Sequence, residues 1–416
     1  MGDIIFFDTE VSIETEKIRD FGATSNSGRQ LHTGNLQEFL KFISGASFLC
    51  GHNVLQHDLK YIKRMAPMIE EFPMIDTLLL SPLLFPKKPY HHLVKDGKLH
   101  TEQLNNPLND SVQAKDLFFD CLSAYNNLEV WMQEIYCRLL RERYEFKAFF
   151  QYIGKSGLST EDLEDIIFSH FNDFICNKVD LHRLIRENPV ELAYALAIIY
   201  ADDQSSITPR WVLFSYPEVE NILSRLRNTP CITGCPYCQK ALDPVAGLQD
   251  YFGYDAYREF DGVPLQERAV EAALHGKSLL AIFPTGGGKS LTFQIPALMA
   301  GKATKGLTIV ISPLQSLMKD QVDNLEEKGI TESVTINGLL DPIERAKAIE
   351  RVEDGSAKIL YISPESLRSK SIERLLLGRK IERFVIDEAH CFSAWGQDFR
   401  VDYLYIAEFI RNIYEK

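Results

Sequence analysis

The sequence predicts an α/β protein, with an α/β region at each end and a helical stretch between them. Three observations predict it. The run Leu279-Leu280-Ala281-Ile282-Phe283 enters Pro284-Thr285-Gly286-Gly287-Gly288-Lys289-Ser290 and then a helical pattern, which is the order strand, phosphate-binding loop, helix. Apolar and amphipathic segments alternate from about 245 to 416, as a parallel sheet with crossover helices requires. The chain opens on Asp3-Ile4-Ile5-Phe6-Phe7-Asp8, an apolar run of strand length flanked by acids.

Composition bounds these readings. At 416 residues the chain exceeds one compact core, and two or three domains are expected. With 45% hydrophobic and 25% charged residues it has the make-up of a folded protein rather than a disordered one. A net charge of −13 excludes a polyanion binder that uses its whole surface, and leaves room for a local basic groove. No apolar run reaches the ~18 residues of a membrane span. No basic segment precedes Asp3, so no signal peptide is expected, and Phe6 stands where N-myristoylation needs Ser or Thr. The 8 cysteines fit a reducing cytoplasm better than a disulfide scaffold.

In the first region, residues 1–123, the pattern predicts strands over 3–11, 17–24, 29–33 and 47–50. Helices are predicted over 35–46, capped by Asn35, and over 57–65. Asp8 and Glu10, two apart on a strand, share a face. Carboxylates on a buried strand are costly unless paired or bound to cations, whereas at a strand end they are ordinary surface charges. Asp8-Thr9-Glu10, His52-Asn53-Val54-Leu55-Gln56-His57-Asp58 and Asn105-Asn106-Pro107-Leu108-Asn109-Asp110-Ser111 follow in the order of the three motifs of the DnaQ-like (DEDD) 3′–5′ exonucleases, which this region resembles. Ile75-Asp76-Thr77-Leu78 adds to the likeness. The resemblance implies an RNase H-like, exonuclease-type fold. In it Asp8, Glu10, Asp58 and Asp110 would hold two divalent ions, Mg²⁺ or Mn²⁺, that activate water and stabilise the leaving oxygen. The likeness fails at the general base. Asn105 and Asn106 stand where the family has His or Tyr, and asparagine cannot take a proton from water; His91, His92 and His100 lie nearby in sequence. An active exonuclease and a metal- and DNA-binding pseudo-nuclease are both open.

Residues 124–228 are expected to form a helical connector, after a helix over 112–125 that closes the first region. Helices are predicted over 128–143, 146–153, 159–174, 191–201 and 217–227, and no catalytic constellation appears. Residues 229–243 place Cys231, Cys235 and Cys238 at C-x3-C-x2-C, where Gly234 and Pro236 favour a tight knuckle. Zinc takes four such ligands and iron–sulfur clusters three or four. A metal is expected, zinc ahead of iron–sulfur, with Cys391 or a residue outside the chain as fourth ligand; an unmetallated turn is the alternative.

In the last region, 245–416, strands are predicted over 278–283, 307–312, 333–336, 358–363 and 384–387, with helices between them. The glycines allow backbone N–H groups to close around phosphate oxygens, Lys289 can reach the β- and γ-phosphates, and Ser290 can hold Mg²⁺. The last strand ends in Val385-Ile386-Asp387-Glu388-Ala389-His390, beside the phosphate loop in such sheets. Asp387 can share the Mg²⁺ with Ser290, and Glu388 can orient or deprotonate the attacking water.

These motifs belong to a longer set: Phe252-Gly253-Tyr254, Tyr257-Arg258, Gln266, Gln294-Ile295-Pro296-Ala297, Ser312-Pro313-Leu314, Leu317-Met318-Lys319-Asp320-Gln321-Val322 and Tyr361-Ile362-Ser363-Pro364-Glu365. Together they resemble the first motor lobe of RecQ-family ATP-dependent DNA helicases over nearly all of 250–405. The resemblance implies a RecA-like lobe that binds ATP and Mg²⁺. Gln266 would read adenine, Tyr254 and Arg258 would contact the base, and Thr285, Gly286, Gly287, Gly288, Lys289 and Ser290 would hold the phosphates. The interval from Arg258 to Gln266 is longer than in the family pattern. Lys289, Asp387, Glu388 and His390 would carry hydrolysis. Ser312 and Lys319 would lie along the DNA, and Trp395, Phe399 and Arg400 in an aromatic-rich loop would couple DNA binding to hydrolysis. Aromatic residues and Arg suit stacking on single-stranded bases.

The family completes its site with arginines from a second lobe, and with a Ser-Ala-Thr motif; neither occurs between Arg400 and Lys416. The expectation is half of a composite site, which binds ATP and DNA without unwinding. The reading as a whole is the N-terminal portion of a RecQ-like 3′–5′ helicase fused to an exonuclease-like domain. Its expected setting is single-stranded or forked DNA in repair or recombination, in a nucleoid-associated cytoplasmic protein. The alternative is a non-hydrolysing, DNA-binding regulatory protein.

Overall fold

The structure, a computed structural model, describes residues 3–12, 14–87, 106–154, 159–203, 206–231, 234–284, 286–338, 340–392 and 405–415. The chain divides into two compact units, the first made of 1–169 and 181–197, the second of 170–180 and 198–416.

In the first unit, β1 (Ile4–Val11), β2 (Ile18–Ser25), β3 (Gln30–Thr33), β4 (Phe48–Gly51) and β5 (Met74–Asp76) form one sheet in the order β3-β2-β1-β4-β5. β2 is antiparallel to both its neighbours, and β1, β4 and β5 run parallel. The helices through Ala201 are α1 (Leu36–Ile43), α2 (Asp58–Met65), α3 (Thr77–Leu84), α4 (Pro107–Asn126), α5 (Val130–Leu140), α6 (Tyr144–Ile153), α7 (Leu163–Phe171), α8 (Leu181–Glu187) and α9 (Pro189–Ala201). Residues 4–7 are apolar without a break because both faces of β1 are covered. Phe7 packs 5.6 Å from Phe39 of α1, while Phe6 packs 5.5 Å from Phe118 of α4. Asp8 and Glu10 alternate with Phe6 and therefore share the α4 side of the strand. α4 starts five residues earlier than the pattern predicts. Asn106 caps it by accepting the Leu108 N–H, and Pro107, which has no N–H to leave unpaired, occupies its first turn.

In the second unit, β6 (Leu307–Ile311), β7 (Ser333–Ile336), β8 (Ile359–Ile362) and β9 (Ile381–Ile386) form an all-parallel sheet in the order β7-β8-β6-β9. Its helices are α10 (Arg210–Ser215), α11 (Val219–Arg227), α12 (Pro236–Ala241), α13 (Pro244–Phe252), α14 (Leu265–Leu274), α15 (Leu291–Thr304), α16 (Gln315–Glu326), α17 (Pro342–Glu353), α18 (Lys370–Leu377) and α19 (Ile406–Glu415). Alternate strand residues feed two cores. Ile309, Ile311, Leu360 and Ile362 meet Val352, Leu376 and Phe409 on one face; Val310, Ile359 and Tyr361 meet Leu298, Met318 and Val322 on the other.

One predicted strand does not form. Residues 278–283 join no ladder, and Leu280 and Ile282 are 76% and 79% exposed. An apolar run becomes a strand only where a neighbouring edge takes up its backbone groups. Among the described residues β9 is hydrogen-bonded on its β6 side alone, and the segment instead follows Phe283, which packs 5.3 Å from Phe260.

The second unit also buries cations. Burial pushes the Lys358 ammonium down to about 7 and the Lys305 ammonium down to about 8. Each folded value lies below its unfolded value, so the stabilising difference is full above the unfolded lysine range and is lost as pH falls through the folded values. The unit is expected to gain resistance to urea from about pH 7 to about pH 9, by at most ~1.4 kcal/mol per pH unit for each lysine. Lys358→Met is expected to flatten that rise; a urea midpoint that stays constant across the window would contradict the assignment.

Candidate nucleotide site and flanking motifs

Three glycines turn the chain between Pro284 and Lys289. Gly286 and Gly288 hold φ of +73° and +71°, the left-handed region that side chains resist, and a Cβ at Gly287 would stand 2.8 Å from the Pro284 carbonyl oxygen. α15 begins directly after Ser290, whose hydroxyl makes no capping hydrogen bond, and the helix presents its positive end to the loop. The loop is held from its flank. Gln266, fully buried on α14, donates through Nε2 to the carbonyls of Gly287 (3.0 Å) and Gly288 (2.9 Å) and accepts the Arg258 N–H at 2.9 Å. Arg258 Nη1 donates to the Gly286 carbonyl at 2.8 Å.

Asp387 follows β9 directly, and its N–H donates to the Ile311 carbonyl at 2.9 Å, extending the ladder by one bond. Burial, and then the adjacent Glu388 carboxylate, push Asp387 above the usual carboxylate range. The Glu388 N–H at 3.0 Å, the Lys289 charge and the Ser312 hydroxyl at 3.4 Å pull the other way. Lys289 and Asp387, from two distant stretches, thus share one electrostatic neighbourhood. Glu388 sits at φ +52°, unusual for a residue with a side chain, and its Oε2 lies 3.1 Å from His390 Nδ1.

Other predicted residues fall as follows. Tyr254 is 45% exposed, stacks on Phe252 with 6.4 Å between ring centroids, and carries Lys328 Nζ 5.4 Å from its ring centre. Lys319 is exposed on α16, whereas Ser312 is 2% exposed and faces Asp387. Thr285, Trp395, Phe399 and Arg400 lie outside the described residues, as do Asn105, His91, His92, His100 and the side chain of Cys391.

In the first unit the three acidic motifs converge on β1. Asp8 pairs across the strands with Gly22, and a Cβ at Gly22 would lie 2.0 Å from backbone atoms of Pro107 and Leu108, so the start of α4, which carries Asp110, closes over this spot. Asp58 is 2% exposed, and its Oδ1 accepts from the Thr9 N–H at 2.9 Å and the Thr9 hydroxyl at 2.5 Å. β4 pairs with β1 only as far as Phe6, so this carboxylate takes over where the ladder stops. Asp76 plays a similar part, accepting the N–H groups of Asn53, Leu55 and Leu78, and burial pushes its carboxyl up to about 6 despite them. His57 stands in the second motif, where the motif order assigns it no role. Its Nδ1 is 3.7 Å from Asp58 Oδ2, and its imidazole is raised first by a hydrogen bond to Asp58, with Glu10 adding to it. Among the described residues, the only set of three or more His, Cys, Asp or Glu with all ligand atoms within 4.8 Å of one another is made of cysteines. By the same measure, no three of Asp8, Glu10, Asp58 and Asp110 bring their ligand atoms within 4.8 Å of one another.

The cysteine knuckle does gather, and the structure adds a member. Cys176 joins Cys231, Cys235 and Cys238, so a fourth sulfur comes from within the chain. Cys176 lies 59 residues before Cys235, and no spacing rule links the two; only a search of the connector for a lone buried cysteine would have raised it.

Comparison with known proteins agrees with this geometry. Residues 263–416 match the DEAD/DEAH box helicase family. The ATP-dependent DNA helicase RecQ of Bacillus subtilis is 44% identical over 170 residues, 41% of this chain and 27% of that protein. The probable ATP-dependent DNA helicase RecS of the same organism is 40% identical over 156 residues, 38% of this chain and 29% of that protein. The ATP-dependent helicase SGS1 of Saccharomyces cerevisiae is 44% identical over 155 residues, 36% of this chain and 11% of that protein. The chain spans about a quarter of the length of the bacterial relatives. Among the described residues no helix is long and apolar enough to cross a membrane. The second unit carries a DEAD/DEAH box helicase domain related to the RecQ helicases.

Proposed function

We propose that the second unit binds ATP with Mg²⁺ at the 286–290 loop and acts as the first motor lobe of a RecQ-like 3′–5′ DNA helicase. Its setting would be single-stranded or forked DNA, in repair or recombination, in the nucleoid-associated cytoplasm. The first unit would be an exonuclease-like partner on the same chain. The observation that carries the reading is the Lys289 charge acting on Asp387, which stands at the end of β9 next to Glu388. The donor set fits Mg²⁺: the Ser290 hydroxyl is not engaged in capping, and Asp387 and Glu388 are adjacent anions whose repulsion a divalent cation relieves. When bound, the ion would neutralise charge on the β- and γ-phosphates. The loop N–H groups and Lys289 would hold the phosphates, and Glu388, steadied by His390, would orient the water and accept its proton. In such a helicase, arginines from a second lobe would add further charge stabilisation at the γ-phosphate.

Titration of a fluorescent ATP analogue tests the site. Lys289→Ala should abolish saturable binding. Gln266→Ala, which leaves buried loop carbonyls without their donor, should weaken it about tenfold, the equivalent of ~1.4 kcal/mol. Affinity equal to the parent's in both variants would refute the assignment.

For the first unit two observations favour the pseudo-nuclease reading, without turnover. Asn106 is engaged as the cap of α4, and Asp58 is held by Thr9. Mn²⁺-dependent shortening of labelled single-stranded DNA, absent in Asp8→Ala, would overturn that second reading in favour of an active exonuclease.

A further inference from the structure

We infer that Cys176, Cys231, Cys235 and Cys238 form a structural four-thiolate zinc centre, with Cys176 as its fourth ligand. The four sulfurs all lie within 4.8 Å of one another, and Cys176 Sγ and Cys235 Sγ are 3.8 Å apart. Zinc–sulfur bonds of about 2.3 Å in a tetrahedron put neighbouring sulfurs about 3.8 Å apart. An iron–sulfur cluster places several iron and sulfide atoms between its thiolates and needs a wider cage. Cys176 and Cys235, at 3.8 Å, lie far beyond disulfide bonding distance, and all four cysteines are free.

The surroundings are built for thiolates. Backbone N–H groups donate to three of the sulfurs: Lys178 to Cys176 at 3.4 Å, Cys235 to Cys231 at 3.1 Å, and Cys238 to Cys235 at 3.4 Å. Such donors orient metal-bound sulfur and spread its charge. The turn that delivers them depends on Gly234 at φ +64° and on Cys235 as N-cap of α12. Cys176, Cys235 and Cys238 are 3%, 2% and 5% exposed, packed with Tyr237 and Leu242, so the cage is closed as in structural rather than catalytic zinc sites. Cys176 is held in place independently of any metal, because its N–H donates to the Leu226 carbonyl at 2.7 Å.

The position suggests what the ion does. α12 runs directly into Asp243, the N-cap of α13, and α13 ends at Phe252 before Tyr254 of the nucleotide site. The centre would tie 170–180 to the root of that helix. Binding deprotonates the four thiols and releases their protons to solvent, with no change in oxidation state.

The test is elemental analysis of the whole chain, expressed with zinc present and purified under a phosphine reductant. One zinc per chain is expected, released in proportion to thiol modification, with no iron, no acid-labile sulfide and no visible absorption. Cys176→Ser should lose metal as fully as Cys235→Ser, while Cys121→Ser should keep it. Should the serine variants fail to fold, Co²⁺ exchange into the parent decides. Intense d–d and sulfur-to-cobalt charge-transfer bands of a tetrahedral four-sulfur site support the inference. Metal-free protein, iron with sulfide, a Cys176→Ser variant that keeps its zinc, or a cobalt spectrum of fewer sulfurs overturns it.

Discussion

Gly22→Ala is expected to destabilise the first unit by about 3 kcal/mol or more, the upper end for an overpacked site. The new Cβ would lie 2.0 Å from the Leu108 nitrogen and from the Pro107 carbonyl carbon, and 2.3 Å from the Pro107 oxygen. These are backbone atoms of a helix start, and no rotamer change clears them. α4 must therefore rise from the sheet, loosening the Phe6–Phe118 contact and carrying Asp110 away from Asp8. Hydrogen-exchange protection of β1 and α4 measures the effect directly. Protection equal to the parent's would mean that the helix start does not close over β2 as described.

Glu388→Gln should lower single-turnover ATP hydrolysis by roughly 10²- to 10⁴-fold, the usual worth of a positioned proton acceptor, with ATP affinity unchanged. The amide keeps the side-chain length and the φ +52° backbone but cannot accept the water's proton. Asp387→Asn should behave differently and lose the Mg²⁺ dependence of ATP binding. Equal hydrolysis rates in Glu388→Gln and the parent would remove Glu388 from the mechanism.

The motif residues of the nucleotide site could be read from the chain because their chemistry is local. A left-handed glycine pair, a lysine after it and an acid at a strand end keep their spacing whatever surrounds them. What the chain did not show is which partner each residue would take. Gln266, which the resemblance places at the base, also holds the loop: its amide donates to two loop carbonyls, because burial demands a partner for every polar atom. Residues 279–282 read as a strand on apolarity alone, which fixes neither an edge nor a register. In the first unit the acids were legible in order, and β1, β4 and α2 fell where the pattern put them. The engagement of Asp58 by Thr9 depends on where β4 stops, a long-range fact with no local signature. Cys176 was invisible for the same reason.

The division of the chain has a consequence for heredity. The backbone passes from one unit to the other at 169/170, 180/181 and 197/198. A break at 169/170 takes Tyr194, whose hydroxyl donates to the Leu79 carbonyl at 2.8 Å, from the first unit; a break at 197/198 takes Cys176 from the second. A recombination event, a proteolytic nick or an engineered split at any one of these points leaves at least one unit short of a segment it packs with. Neither unit is one unbroken stretch of this chain, so no single cut separates the two with both intact.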